Sequence, residues 1–386
     1  MPAVCTQAQF VDAEIRLSTS DSVEQYALFN GIGTAKINNS GTIALSATLT
    51  ELSAPFFSGT GMLVNTGPGL TDLVARENDG TRGLITLQNF GIDSTGRVVF
   101  EDRNTSGDNR IFRVGPVGAG SAIATVGDPG ESAFDFAGPS VSGVSDVVYL
   151  KTAPGSGAGV QTLVRDSGAG LGAPIITNTG NNVEQILQYD VNRDNAVAYV
   201  VDLDGANPTS LFIDTPSGGS TLLADDTDFV NLGSAQTSIV MGADGEVYVR
   251  GQTTGGQTGI FRVNDSGITS VVNTTDDPFS SIGLFSVNAD GTVVFLATSG
   301  GVSGLYTGTN PATDQLVGVG DTVDGVGVQL LTFGSDALND NGQVVFQFIG
   351  SDGENHAAVG QIIPEPGTLA ILALGGLTLV RRRRVA

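Results

Sequence analysis

Tryptophan is absent from this chain, and cysteine (Cys5) and histidine (His356) occur once each. A lone cysteine excludes an intrachain disulfide. Cys5 lies near the N-terminus without the apolar run that a lipoprotein signal requires, and it is read as incidental. A lone histidine excludes a His-rich zinc centre, and any Ser-His-Asp triad would have to use His356. That residue sits in a strand-like run just after Gly353-Glu354, which favours packing over catalysis. No Gly-x-Ser-x-Gly elbow, P-loop or dinucleotide fingerprint occurs. Catalytic residues are therefore expected to be none.

Positive charge is also scarce. Lys and Arg number 17 against 40 Asp and Glu, for a net charge of −23, and four of the bases stand together at Arg381, Arg382, Arg383 and Arg384. Such a surface repels phosphate backbones and anionic lipid, so nucleic acid is excluded as a partner. What the chain does have is glycine, 55 residues, together with 40% apolar residues. Disorder needs low hydrophobicity, so this balance points to many short strands joined by tight turns.

The last residues have three parts in order. Pro364, Glu365 and Pro366 come first, then thirteen uncharged residues from Thr368 to Val380, then the arginines. As a helix the apolar run reaches roughly 20 Å. A bilayer core is about 30 Å thick, so the run is a short membrane segment. The arginines would stay cytoplasmic, which places everything before Pro364 outside the inner membrane. The prolines forbid regular helix and leave an extended, protease-accessible linker. Residues 1–363 and 364–386 thus divide into a body and a tail.

This tail closely resembles the PEP-CTERM sorting signal, which exosortase enzymes recognise in Gram-negative bacteria that export exopolysaccharide. The resemblance implies an exosortase-type processing partner, cleavage near Pro364–Pro366, and passage from an inner-membrane intermediate to the outer surface. Contact with the membrane would be through the tail only. Export ordinarily needs an N-terminal signal, yet Met1 to Gln9 has neither a basic start nor an apolar stretch. The expectation is that the true start lies upstream or that the sequence is a fragment.

The body carries a recurring phrase, a polar turn followed by an apolar triplet. It reads Asn38-Asn39-Ser40-Gly41 before Ile43-Ala44-Leu45, and Asp93-Ser94-Thr95-Gly96 before Val98-Val99-Phe100. Ser145-Asp146 precedes Val147-Val148-Tyr149, and Asn192-Arg193-Asp194-Asn195 precedes Val197-Ala198-Tyr199. Ala243-Asp244-Gly245, Asn288-Ala289-Asp290-Gly291 and Asn339-Asp340-Asn341-Gly342 complete the set, each before its own triplet. The turn positions 41, 96, 145, 195, 245, 291 and 342 are spaced by 46 to 55 residues. Such a period with short apolar strands belongs to radial β architectures.

Each unit has a strand before the turn, the triplet, and two more strands, which makes a four-stranded blade. The seventh unit runs out after His356–Gly360, while a strand at Ala13–Leu17 stands ahead of the first unit. The fold predicted is an all-β, seven-bladed β-propeller, its ring closed by that N-terminal strand, plus a short C-terminal hydrophobic helix. Closure would remove exposed sheet edges. The phrases also resemble a group of PEP-CTERM proteins built from tandem Asn-x-x-Gly-x-Val-Ala/Val-Phe repeats.

Function is expected to be structural or interactive at the cell surface or in the extracellular matrix, with exopolysaccharide or other surface proteins as partners. Two alternatives stand beside it. One is a propeller adhesin or glycan- or calcium-binding module. The other is a polysaccharide-active enzyme using paired carboxylates. No cofactor is expected apart from calcium. Its one candidate is Asp190, Asn192 and Asp194, alternating oxygen donors like the first half of a calcium loop, a stretch already explained as a repeat turn.

Overall fold

The computed structural model describes residues 10–362, apart from residues 25, 53–57, 78–81, 105–108, 116–119, 126–134, 142–145, 154–159, 167–171, 179–182, 193, 204–208, 235–236 and 243–244. The expected C-terminal helix, the sorting residues Pro364, Glu365 and Pro366, and the arginine cluster all lie outside the described residues. So does Cys5. Within them the regular structure is all β, in seven separate antiparallel sheets arranged as a seven-bladed propeller.

The first strand, β1 (Phe10–Ser18), is set apart from the strands that follow it. Sheet I holds β2 (Ser22–Val23), β3 (Tyr26–Ile37), β4 (Ile43–Glu51), β5 (Ser58–Gly67) and β6 (Leu70–Arg76). Sheet II holds β7 (Arg82–Ile92), β8 (Val98–Asn104), β9 (Asn109–Val114) and β10 (Ser121–Thr125). Sheet III holds β11 (Asp135–Val141), β12 (Val147–Ala153), β13 (Val160–Asp166) and β14 (Ala173–Thr177). Sheet IV holds β15 (Val183–Val191), β16 (Val197–Leu203), β17 (Ser210–Thr215) and β18 (Gly219–Asp225).

Sheet V holds β19 (Phe229–Val230), β20 (Ser238–Met241), β21 (Val247–Thr253), β22 (Thr258–Asn264) and β23 (Gly267–Asn273). Sheet VI holds β24 (Ser281–Val287), β25 (Val293–Ser299), β26 (Val302–Tyr306) and β27 (Gln315–Gly318). Sheet VII holds β28 (Thr322–Val323), β29 (Val326–Thr332), β30 (Gln343–Gly350) and β31 (Asn355–Ile362), and β1 pairs with β31 as its outer strand.

Each apolar triplet opens an inner strand of its sheet (β4, β8, β12, β16, β21, β25 and β30), where both faces are covered. Val98, Val99 and Phe100 are wholly buried, as are Val344, Val345 and Phe346. β-branched and aromatic side chains suit a strand packed on both sides. The core is correspondingly split into clusters between neighbouring sheets. The largest joins Leu305 and Val294 of sheet VI, Phe346 of sheet VII and Leu45 of sheet I. Leu17 of β1 belongs to it as well.

Sequential hairpins within a sheet set its ends. In each sheet the turn before the triplet strand lies at one end, and the turn after it lies at the other. The connections from sheet to sheet join this second end. The Asn turns therefore share one face of the propeller, opposite the inter-sheet connections.

Candidate functional site

The Asn turns are built alike. Asn38 N donates to Thr42 O at 3.0 Å and Gly41 N donates to Asn38 O at 3.0 Å. The same pair of bonds recurs at Asp93, Asn192, Asn288 and Asn339. This is a three-residue hairpin loop whose last residue is left-handed. Gly41, Gly96, Gly291 and Gly342 have φ between 74° and 82°, and Asn195 takes the place with φ 63°. Glycine has no Cβ to oppose that conformation, and asparagine tolerates it.

The residue that opens the turn does two jobs. Asn38 Oδ1 accepts from Ser40 N and Thr42 N, each at 3.0 Å. Its Nδ2 donates to Asp93 O of the next sheet at 2.9 Å. Asn192 repeats this, accepting from Asp194 N and Ala196 N and donating to Gly242 O at 3.1 Å. Asn339 accepts from Asn341 N and Gln343 N and donates to Asn38 O at 2.8 Å. An amide carries an acceptor for its own turn and a separate donor for its neighbour, which a carboxylate cannot. Asn38, Asn192 and Asn339 use both.

Asp93 is the informative exception. Its carboxylate accepts from Thr95 and Arg97 backbone amides and pairs with Arg97 Nε at 2.8 Å. Burial alone would raise its pKa. Hydrogen bonds from Thr95 and Arg97 outweigh that and hold it below the usual carboxylate value. The turn survives, while the donor to the following sheet is lost with the amide.

Between the last sheet and the first, further bonds surround the Asn339 link. Ile37 N donates to Asp336 O at 3.0 Å, and Lys36 Nζ lies 2.6 Å from Asp336 Oδ2. Asp340 N donates to Asn39 Oδ1 at 2.9 Å, and Asn341 Nδ2 donates to Asn39 O at 2.6 Å. Replacing Asn339, which is 3% exposed, by Ala leaves buried partners unsatisfied and is expected to destabilise the fold by about 2–3 kcal/mol. Asn339→Asp keeps the turn acceptor but loses the donor to Asn38, at an expected cost of about 1–2 kcal/mol. Urea denaturation of the two variants reads both values, and an Asn339→Asp variant as stable as the parent would remove the inter-sheet role.

His356 sits on β31 opposite Ser18 of β1. Its Nε2 is 3.1 Å from Asp352 Oδ1 and its Nδ1 is 2.7 Å from Ser18 Oγ. A carboxylate only accepts, so Nε2–H donates to Asp352 and Nδ1 accepts the Ser18 hydroxyl proton. The bond from His356, joined by one from Glu354 N, holds the Asp352 carboxyl below its usual range. This order of residues matches a triad in name alone. The imidazole is buried, stacked on Phe348 at 4.8 Å, and ties β1 to the sheet. Thr19 Oγ1 donates to Glu354 beside it, and Phe10 stacks on Phe346 at 5.3 Å at the other end of the strand.

Two of the three calcium candidates are engaged by sheet V. Asp190 Oδ2 accepts from Met241 N of sheet V at 2.7 Å, and Asn192 uses both side-chain atoms as described. Asp194 is exposed. Among the described residues no group of three or more His, Cys, Asp or Glu side chains is placed to hold a metal. A cleft of about 430 Å³ between β1 and sheets VI and VII is lined by Phe10, Ala13, Leu316 and Val323 and, among the described residues, holds one carboxylate, Asp321. Asp321 Oδ2 accepts from Gly318 N at 2.7 Å, a turn-capping bond.

Sequence reading missed two features. Ser18 and Asp352 could not be connected to His356 from spacing alone. The short hairpins of β2–β3 and β28–β29 did leave a signal, Asp21-Ser22-Val23-Glu24 and Asp321-Thr322-Val323-Asp324. In both, the aspartate accepts the backbone amide three residues earlier, at 2.8 and 2.7 Å.

Comparison with known proteins divides the chain in the same way. A family model described as the PEP-CTERM protein-sorting motif matches residues 363–384. The motif indicates an exported protein that is membrane-anchored before release and processed by an exosortase. No curated protein matches the chain. Among solved structures, prolyl oligopeptidase B from Galerina marginata, bound to a 35mer hydrolysis and macrocyclization substrate, is similar at TM-score 0.54 and 11% identity. That match covers 87% of this chain and 49% of the other. One from a study of two prolyl endopeptidases is similar at TM-score 0.51 and 13% identity, over 86% of this chain and 48% of the other. The chain thus spans about half the length of these relatives, and at such identities the likeness is one of fold.

Proposed function

We propose that this chain is an exported, exosortase-processed surface or matrix protein, whose body is a closed disc with a structural or interaction role. The observation that carries the reading is the junction at residue 362. β31 ends at Ile362, and the sorting motif begins at residue 363. Cleavage near Pro364–Pro366 would remove no strand residue from the body. Residues 1–363 and 364–386 are then a propeller domain and a disposable sorting tail.

Ring closure belongs to the same proposal. β31 is held by β30 on one side and by β1 on the other, so the chain's two ends meet in one sheet. The Asn339-to-Asn38 bond has the same donor and acceptor as the bonds between consecutive sheets. Both facts support a ring whose last junction is bonded like those between sheets I and II and between sheets IV and V. Closing a sheet array in this way leaves short, protected edges, which suits a protein exposed outside the cell.

Mapping the mature C-terminus of the exported protein by mass spectrometry tests the reading. A C-terminus near Pro364–Pro366 is expected. An exported protein that retains Arg381–Arg384 would overturn it.

A further inference from the structure

Arg250 is half-buried on β21 in a chain rich in carboxylates, yet no ion pair engages it among the described residues. Its Nε donates to Ser238 Oγ at a long 3.4 Å. Arg262, on the neighbouring β22, shows the ordinary arrangement, with Glu246 3.3 Å away. Burial lowers the pKa of Arg250, with no neighbouring charge acting to raise it. A guanidinium nevertheless stays protonated at neutral pH. An unpaired, partly desolvated cation is costly unless something anionic completes it.

The side chain lines a cavity of about 340 Å³. Asn231, Ser234, Thr237, Gln252 and Thr258, which carry hydroxyl or amide side chains, line it with the apolar Ile282; Thr237 Oγ1 also donates to Ser234 O, and Gln252 Nε2 to Gly256 O. The cavity lies at the seam of sheets V and VI, on the face opposite the Asn turns. Its wall is fixed from the side of sheet IV, where Gln188 Nε2 donates to Ser234 O at 3.1 Å and Thr237 O at 3.0 Å. At this volume the cavity is at the small end of ligand sites, suited to one sugar-sized molecule.

We infer that this cavity is a binding site for a small polyhydroxylated carboxylate of the hexuronate class. The Arg250 guanidinium takes the carboxylate through paired N–H donors, and the hydroxyl and amide side chains take the ring hydroxyls. A planar fork matches a carboxylate, which is why arginine serves here better than lysine. Binding does not depend on the sorting tail, so the proposal stands or falls apart from export.

The test is titration of the full chain with D-glucuronate by calorimetry, with D-glucose and sulfate as parallel probes. Glucuronate is expected to bind, and Arg250→Gln to weaken it about ten- to a hundredfold. Arg262→Gln is expected to leave binding unchanged. Because a variant at a half-buried site can lose its fold, a second measurement uses the unaltered protein. Glucuronate is expected to protect Arg250 from an arginine-selective dicarbonyl reagent, read by peptide mass spectrometry. Absence of glucuronate binding, equal binding by glucose or sulfate, or modification of Arg250 unaffected by glucuronate would overturn the assignment.

Discussion

Deletion of residues 10–18 is expected to abolish the soluble folded protein. β1 is nine residues long, and its loss exposes the full length of β31. Leu17 is 3% exposed and shares the cluster that joins sheets VI, VII and I. Burying one such side chain is worth about 1.5–3 kcal/mol, and native folds have only about 5–15 kcal/mol in total. Phe10 on Phe346, Ser18 on His356 and Thr19 beside Glu354 would be lost or weakened in the same step. A bare strand edge is also a template for pairing with other chains. Size-exclusion chromatography and a circular-dichroism melt should show aggregate and no cooperative transition. Deletion of residues 363–386 should leave both unchanged, since no strand residue is removed. A soluble Δ10–18 protein with the parent melting temperature would contradict this role for β1.

The second large effect concerns the tail. Changing Pro364, Glu365 and Pro366 together to Ala in the native host is expected to eliminate the processed form almost completely. The thirteen apolar residues and four arginines would still engage the membrane, so the uncut chain should accumulate in the inner-membrane fraction. The short apolar run makes this a weak anchor, fit to hold a chain until it is cut rather than permanently. Fractionation followed by mass mapping reads the outcome. Normal release of the triple variant would separate the motif match at 363–384 from any sorting role.

The turns at Gly41 and Asn195 were legible because two constraints coincide in few residues. A left-handed position demands Gly or Asn, as at Gly41 and Asn195, and the following strand must be apolar on both faces. The pairing of β1 with β31 was legible from the ends of the array, where Ala13–Leu17 and His356–Gly360 were each left without a full blade. The second job of Asn38, Asn192 and Asn339 was not legible. Its acceptor lies 50 or more residues away and is a backbone carbonyl, which carries no sequence signature. Arg250 was hidden for a related reason. Its distinction is the lack of a carboxylate partner, and pairing is a property of space. The partners of Asp190 and Asn192, two of the calcium candidates, were not legible either. Asp190 and Asn192 face sheet V through Met241 and Gly242.

Amide hydrogen exchange of the unaltered chain tests closure of the wheel most directly. Peptides covering Phe10–Ser18 should exchange as slowly as those covering Asn355–Ile362, because the two strands would open only together. Rapid exchange across Phe10–Ser18, with Asn355–Ile362 still protected, would mean that the ends of the array are not joined.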